Sequence, residues 1–257
     1  MRRAPWIVQG GASGARLRLY CFPYAGGSAA SFPGWQAALG PHIEVCALQL
    51  PGRGSRFREP ALTSMAELAD LLARAIGAHD GLPYAFFGHS MGALLAFEVA
   101  RRLRELGLPP PGRLFVSGAA APAYRSAPRM LHRMNDDRLV EALRAYDGTP
   151  AEALADAELM GVLLPTIRAD FAVVENFRYT RQAPLELPLT VLAGKQDTLE
   201  ALSQVHGWQD ETAGAFDVQW FDGGHFFIHG ERAAVTSLVA RTLAPLAAAA
   251  SHCRECA

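Results

Sequence analysis

The sequence has no excess of charge of either sign. Its 24 lysine and arginine residues are balanced by 25 aspartate and glutamate residues, which leaves a formal net charge of −1. Proteins that bind nucleic acid or an anionic membrane surface usually carry a clear excess of basic residues. We therefore expect neither nucleic acid nor a membrane as a partner. Lysine itself is almost absent, since Lys195 is the only one, and we attach no function to that bias.

Long apolar runs are also absent. No stretch approaches the roughly 18 uninterrupted apolar residues that a transmembrane helix needs. The start of the chain is basic, but residues 4–16 contain no apolar run of the length found in a signal peptide. We therefore expect a cytoplasmic protein.

Cysteine is scarce, with four residues in the chain. Cys21 and Cys46 lie in apolar, strand-like segments and are predicted to be core residues. Cys253 and Cys256 form a C-x-x-C near the C-terminus, without the second ligand pair that a closed zinc site needs. Glycine-rich motifs for phosphate binding are missing as well. We predict neither a metal nor a cofactor.

What is present indicates an α/β fold in one domain over residues 1–257. Half of the residues are apolar, which is enough for a sizeable core. Short β-rich segments alternate with segments of helical spacing, the pattern of a mainly parallel sheet flanked by helices. The predicted strands are 17–22, 43–48, 84–88, 114–117, 189–193 and 216–221. The clearest predicted helices are 65–76 and 91–106.

The interval 128–184 breaks this alternation. It contains no strand pattern and is helical in spacing, with Asp136 as the expected cap of one helix and a threonine-proline pair at 149–150 opening another. Pro165 is expected to kink or end the second helix. We interpret the interval as a helical lid, inserted before the penultimate strand.

The segment Gly88-His89-Ser90-Met91-Gly92 matches G-x-S-x-G between a predicted strand and a predicted helix. In this motif the serine occupies a strained turn, and glycines on both sides avoid collisions with the neighbouring strand and helix. The turn raises the hydroxyl above the carboxyl end of the sheet, beside a helix N-terminus that favours negative charge. We predict that Ser90 is a catalytic nucleophile.

A serine hydroxyl needs a base, and the base needs a third group to orient it. His225 follows the last predicted strand on a glycine-bearing loop, where active-site loops collect. We predict His225 as the base in preference to His206 and His229.

The acid is expected between serine and histidine in the chain, because this fold orders its triad that way. Asp197 follows the strand 189–193 and is the predicted acid, with Glu200 and Asp222 as alternatives. Its role is to fix the tautomer of His225 and to stabilise the imidazolium.

Two backbone N–H groups are predicted to form an oxyanion hole. One is that of Met91, after the nucleophile, and the other is that of Ala25, on a loop whose two glycines allow close approach to a substrate.

We expect Phe171, on the apolar face of the lid, to line an acyl pocket. Tyr24 and Phe226 are further predicted substrate contacts.

Together these residues resemble the type II thioesterases, stand-alone enzymes that serve polyketide synthases and nonribosomal peptide synthetases. The resemblance is carried by segments 22–28, 50–54, 88–92, 117–118, 164–165 and 168–171, together with Asp197 and residues 223–225. It implies an α/β-hydrolase fold and hydrolysis of acyl thioesters held on the phosphopantetheine arm of acyl or peptidyl carrier proteins. Stalled or aberrant groups would thereby be removed. A start at Met1 close to the first strand favours a free-standing enzyme, and we expect a monomer.

Two other functions fit the same pattern. A lipase or small-ester hydrolase uses the same triad, because fold and triad do not fix the leaving group. A non-catalytic binding protein on this fold is the more distant alternative.

Acyl and peptidyl carrier proteins are usually acidic, so we also expect two groups of arginines to frame the entrance to the active site. They are Arg125, Arg129 and Arg133, and Arg53, Arg56 and Arg58.

Overall fold

The computed structural model describes residues 6–79, 81–146, 148–198 and 202–255, with only the backbone described at 202, 203 and 250–255. Its strands are β1 (Ile7–Gln9), β2 (Leu17–Phe22), β3 (Ile43–Leu48), β4 (Tyr84–His89), β5 (Leu114–Ser117), β6 (Leu189–Gly194) and β7 (Phe216–Phe221). Its α-helices are α1 (Trp35–Leu39), α2 (Met65–Gly77), α3 (Met91–Glu105), α4 (Asp136–Tyr146), α5 (Ala151–Ala155), α6 (Ala157–Asn176), α7 (Leu202–His206), α8 (Phe227–Gly230) and α9 (Arg232–Glu255).

The strands form one sheet in the order β1-β3-β2-β4-β5-β6-β7. All neighbouring pairs in this order are parallel except the first, in which β1 pairs antiparallel with β3. The predicted fold class, a mainly parallel sheet flanked by helices, is confirmed. Strand β1 was not predicted, because three residues are too few for an alternating pattern to show.

Successive side chains of each strand go to opposite faces of the sheet. In β2, Tyr20 and Phe22 enter the core that α2 and α3 share, whereas Leu17, Leu19 and Cys21 enter the core that α1 and α9 share. Because both faces are covered, the central strands are mostly apolar. Strands β2 and β3 each carry one charged residue, Arg18 and Glu44, and these two form a buried ion pair. The sheet is thus a rigid middle layer, and the loops at its carboxyl edge are anchored by it.

Between β5 and β6 the chain forms helices α4, α5 and α6, and the residues described there include no β-strand. Apolar residues of this segment, 128–184, form a third core cluster separate from the two on the sheet. Its buried members are Leu131, Leu139, Ala142, Leu143, Leu154, Met160, Leu164, Ile167 and Phe171.

Two details of this segment differ from expectation. Pro165 does not end a helix, because α6 continues through it. A proline costs a helix interior roughly 3 kcal/mol, but the burial of Leu164 and Ile167 on either side offsets that cost. The predicted cap Asp136 is the first residue of α4, and the side chain of Asn135 accepts the N–H of Arg138 at 3.0 Å.

Helix α9 extends to Glu255 and contains the backbone of Cys253. The side chain of Cys253 and the whole of Cys256 lie outside the described residues. No helix in the described part of the chain, α9 included, is long and apolar enough to cross a membrane.

Candidate active site

Ser90 lies between β4 and α3, where the chain turns sharply. Its φ of 55° and ψ of −117° are unusual for a residue with a side chain, and strain of this kind clusters at functional sites. The turn requires glycine on both sides. A Cβ on Gly88 would lie 2.1 Å from the carbonyl oxygen of Gly92, and a Cβ on Gly92 would lie 2.1 Å from that of Phe22. The steric explanation of the motif is therefore confirmed.

Ser90, His225 and Asp197 meet at the carboxyl end of the sheet. The Nε2 atom of His225 lies 3.0 Å from Ser90 Oγ, and its Nδ1 atom lies 2.9 Å from Asp197 Oδ2. The side chains of His225 and Asp197 are only 5% and 4% exposed, so water competes little for these bonds. A hydroxyl, an imidazole and a carboxylate in this order can activate a serine as a nucleophile.

Two loops bring the histidine and the aspartate together. Strands β6 and β7 pair in parallel, so the loops that follow them leave the same edge of the sheet. Gln196 N–H donates to the carbonyl oxygen of Gly223 at 3.0 Å. A Cβ on Gly194 would lie 2.5 Å from the carbonyl oxygen of Gly224, so this close approach depends on glycine.

The alternative residues lie elsewhere. Asp222 forms an ion pair with Lys195 at 2.8 Å, and its side chain is 71% exposed. His229 lies 3.2 Å from the hydroxyl of Tyr24, and His206 is in α7. Glu200 lies outside the described residues.

His89 is a part of the site that the sequence analysis did not identify. Its ring is completely buried, with its centroid 5.2 Å from that of His225, and its Nδ1 lies 2.9 Å from Ser117 Oγ. Burial lowers the pKa of His89 well below its usual range, and the neighbouring His225 and His229 lower it further. The ring therefore stays neutral and packs behind His225 as an uncharged support. Its position inside the G-x-S-x-G motif is the signal that could have found it.

The two predicted oxyanion donors line the same cavity as Ser90. Met91 is the first residue of α3, and the first N–H groups of a helix have no partner within the helix. The carbonyl of Tyr24 accepts the N–H of Gly27 at 2.8 Å, which closes a tight turn. Because the C=O and N–H of a trans peptide point in opposite directions, the N–H of Ala25 points out of this turn. Their role as donors stays a prediction.

The cavity beside Ser90 has a volume of about 150 Å³ and is mainly apolar. Phe171 contributes to its wall, and the role of that wall in binding an acyl group stays a prediction. Its other apolar side chains include those of Leu94, Leu131 and Val174, and its polar ones include Arg125, Arg129 and Glu175. The buried Glu175 accepts the N–H groups of Leu131 and His132 at 2.8 and 3.0 Å, so its carboxylate already has partners.

Tyr24 and Phe226 were predicted to contact substrate, but the structure does not place them on the wall of this cavity. Their rings pack against each other with centroids 4.9 Å apart, and the ring of Phe226 stacks on that of His229. Both rings lie against His229, and neither residue lines the cavity. Phe226 contacts the site through His225, with ring centroids 5.2 Å apart, and Tyr24 contacts it through His89, with ring centroids 5.9 Å apart.

The prediction that Arg53 and Arg56 frame the entrance is wrong. Both side chains are buried, and each forms an ion pair, Arg53 with Asp170 and Arg56 with Glu59. Sequence alone did not show that Arg53 is buried, because its partner Asp170 lies 117 residues later in the chain. Arg56 pairs with Glu59, only three residues on. Arg125 and Arg129, by contrast, do line the cavity.

Comparison with known proteins gives consistent matches. Residues 17–244 match the family model of the thioesterase domain. The chain is 40% identical over 225 residues to the gramicidin S biosynthesis protein GrsT of Aneurinibacillus migulanus, covering 87% of this chain and 88% of that protein. It is 37% identical over 223 residues to thioesterase PikA5 of Streptomyces venezuelae, covering 86% and 78%. The solved structure of the type II thioesterase BorB, from the borrelidin biosynthetic cluster, matches with a TM-score of 0.86 at 38% identity, covering 93% and 97%.

Proposed function

The chain belongs to the thioesterase family, and from this premise we propose that Ser90, His225 and Asp197 carry out its hydrolysis of acyl thioesters. The observation that carries the proposal is the pair of hydrogen bonds made by His225, to Ser90 Oγ at 3.0 Å and to Asp197 Oδ2 at 2.9 Å. The substrates are acyl groups held on the phosphopantetheine arm of carrier proteins in polyketide or nonribosomal peptide synthesis. Relatives that act in such pathways support this.

In the first half-reaction Ser90 Oγ attacks the thioester carbonyl carbon, and its proton passes to His225 Nε2. The carbonyl electrons move to oxygen, and the N–H groups of Ala25 and Met91 are placed to stabilise that negative charge. Asp197 holds the imidazolium. The carbon–sulfur bond then breaks, the thiol leaves with the proton from His225, and the acyl group stays on Ser90.

In the second half-reaction water gives a proton to His225 and attacks the acyl-serine. Collapse of the tetrahedral intermediate releases the carboxylic acid and returns the proton to Ser90.

We also propose that segment 128–184 is a lid, because Leu131, Phe171 and Val174 from it form one side of the cavity. A monomeric state and a cytoplasmic location stay predictions.

The test is mass spectrometry of acyl carrier proteins loaded with a panel of acyl groups and incubated with the enzyme. We expect loss of the acyl mass with recovery of the free arm. Oxygen esters of the same acyl groups serve as the comparison. Efficient hydrolysis of those esters without release from the carriers would favour a lipase or esterase instead.

A shallow basic depression next to the cavity is our candidate for carrier docking. It is lined by Arg129, Arg133 and Arg138, all exposed, and Arg129 also lines the cavity. The depression is thus continuous with the active site. An acidic carrier bound there would present its arm to Ser90, and opposite charge would speed the encounter.

We therefore predict that Arg133→Glu lowers kcat/KM for an acyl-carrier substrate by roughly tenfold at low salt, through a slower encounter. The effect should shrink as salt is added and be absent for a small, uncharged acyl thioester. Arg241→Glu, an exposed arginine of α9, is the matched control and should change neither rate. Equal loss on both substrates would contradict the docking role.

The cavity volume leads to a prediction about acyl size. About 150 Å³ is roughly the size of cavity that holds a benzene molecule, so acyl groups of up to about six carbons should fit. We expect kcat/KM to fall for long fatty-acyl thioesters. Leu94→Ala, which enlarges the cavity, should shift the dependence of kcat/KM on chain length towards longer acyl groups. Leu95→Ala is the control, because Leu95 is also buried on the same helix but does not line the cavity. Both variants should lose about 2–5 kcal/mol of stability. The same length profile in both would show that this wall does not select chain length.

A further inference from the structure

A buried ion pair joins three segments around the cavity. The guanidinium of Arg53, from the loop after β3, makes two hydrogen bonds to the carboxylate of Asp170 on α6, Nη1 to Oδ2 at 2.5 Å and Nη2 to Oδ1 at 2.7 Å. The two side chains are 7% and 1% exposed. Replacement of such a pair by apolar side chains often leaves stability unchanged or improves it, so stability alone does not account for it.

The third segment is the turn that carries Ala25. Gly26 N–H donates to Asp170 Oδ2 at 2.7 Å, and Arg53 Nη1 donates to the carbonyl oxygen of Gly27 at 3.1 Å. Gly26 has a φ of +76°, and a Cβ there would lie 3.0 Å from Ile167 Cγ1 of α6. The turn is therefore pressed against α6 and bonded to the ion pair on two successive residues.

These bonds act on the part of the turn that is free to rotate. The central peptide of a tight turn, here between Ala25 and Gly26, has two common orientations that distinguish turn types. The bond from Gly26 N–H to Asp170 selects one of them. The adjoining peptide, whose N–H belongs to Ala25, is held by the Tyr24 carbonyl bond to Gly27 N–H at 2.8 Å.

We propose that Asp170 and Arg53 are positioning residues that hold the turn so that the N–H of Ala25 is aimed at the oxyanion. This inference rests on the proposed function of Ala25. Neither side chain reaches the reacting atoms, since both act through the backbone of residues 25–27. Their effect is on the transition state, because the negative charge on oxygen develops there and in the tetrahedral intermediate but is absent from the bound substrate.

The test uses Asp170→Asn and Arg53→Lys. An asparagine amide offers one acceptor oxygen to the three N–H donors that now share the carboxylate, so it cannot keep all of these bonds. Lysine keeps the charge of Arg53 but cannot make the paired contact. Loss of one oxyanion donor typically costs about 100-fold in kcat, and we expect a fall of roughly 30-fold or more in Asp170→Asn with little change in KM.

Two inhibitors separate positioning from a general structural role. Ser90 Oγ adds to the carbonyl carbon of a trifluoromethyl ketone analogue, and its proton passes to His225. The adduct has a negatively charged oxygen in the oxyanion hole. A thioether analogue of the substrate, which has no carbonyl at that carbon, binds without forming that charge. We expect the inhibition constant of the ketone to rise in parallel with the fall in kcat/KM, while that of the thioether stays constant.

Glu44→Gln is the matched control, because Arg18 and Glu44 form another buried pair, at 3.2 Å, between β2 and β3. It should lower the melting temperature without changing the ratio of the two inhibition constants. Weakening of both inhibitors alike in Asp170→Asn and Arg53→Lys would overturn the positioning role, as would wild-type kinetics in either variant. If Asp170→Asn does not fold, Arg53→Lys decides the matter by the same ratio.

The two proposals fail in different ways. If the wild-type protein releases no acyl group from thioesters, the proposed function fails, but the ketone still reports on the oxyanion hole because its addition to Ser90 needs no leaving group. If the wild type hydrolyses thioesters and the variants do so equally fast, only the positioning role fails.

Discussion

Ser90→Ala should lower kcat for acyl thioesters by more than roughly a thousand-fold, because the variant cannot form the acyl-serine. Substrate binding should persist, since the cavity wall is otherwise unchanged. Alanine is a small residue with a Cβ like serine, so the unusual backbone at φ 55° is no less tolerable for it. Steady-state kinetics and the melting temperature, measured on one preparation, check both halves of this prediction.

The partner residue supplies the control for this experiment. His225→Ala should be nearly as severe as Ser90→Ala, and the double variant should be no slower than the slower single variant, because the two residues act as one unit. Mass spectrometry of the wild type, quenched during turnover, should find the acyl group on the peptide that contains Ser90. Near-wild-type activity in a clean Ser90→Ala preparation would remove Ser90 from the mechanism.

The sheet could be predicted well from the sequence because its central strands are buried on both faces. The largely apolar segments 17–22 and 43–48 predict strands, and the structure has β2 and β3 at those positions. The predicted triad rested on the fixed chain order of this fold, and the structure brings those three side chains within hydrogen-bond distance.

What could not be predicted depends on contacts between distant parts of the chain. Nothing near Arg53 in the sequence reveals that its partner is Asp170, 117 positions later, so the arginine was expected at the surface. The same holds for Pro165, where tertiary packing of α6 outweighs the local tendency of proline to end a helix. Tyr24 and Phe226 do not line the cavity beside Ser90, and their contact with a substrate stays a prediction.

Gly92→Ala should both destabilise the protein and abolish activity. The added Cβ would lie 2.1 Å from the carbonyl oxygen of Phe22 and 2.7 Å from that of Pro23, and both are backbone atoms that no rotamer change can move. Helix α3 must therefore shift away from the end of β2, which displaces Ser90 and the start of the loop that carries Ala25. We expect a loss of about 3 kcal/mol in the free energy of unfolding, at the upper end of the usual cost of overpacking.

Gly161→Ala is the matched control, because it makes the same change inside α6, where no atom lies within 4 Å of the new Cβ. Alanine has a higher helix propensity than glycine by about 1 kcal/mol, so this variant should be as stable as the wild type or more so. Urea denaturation of both variants gives the comparison. If Gly92→Ala unfolded at the same urea concentration as the wild type and stayed active, the contact between α3 and β2 would have to be looser than the structure has it. If Gly161→Ala were equally destabilised, loss of glycine in a helix, and not crowding at the nucleophile turn, would be the cause. The same glycine-to-alanine change should thus lower the free energy of unfolding at position 92 and leave it unchanged or raise it at position 161. This difference separates crowding at the nucleophile turn from helix propensity.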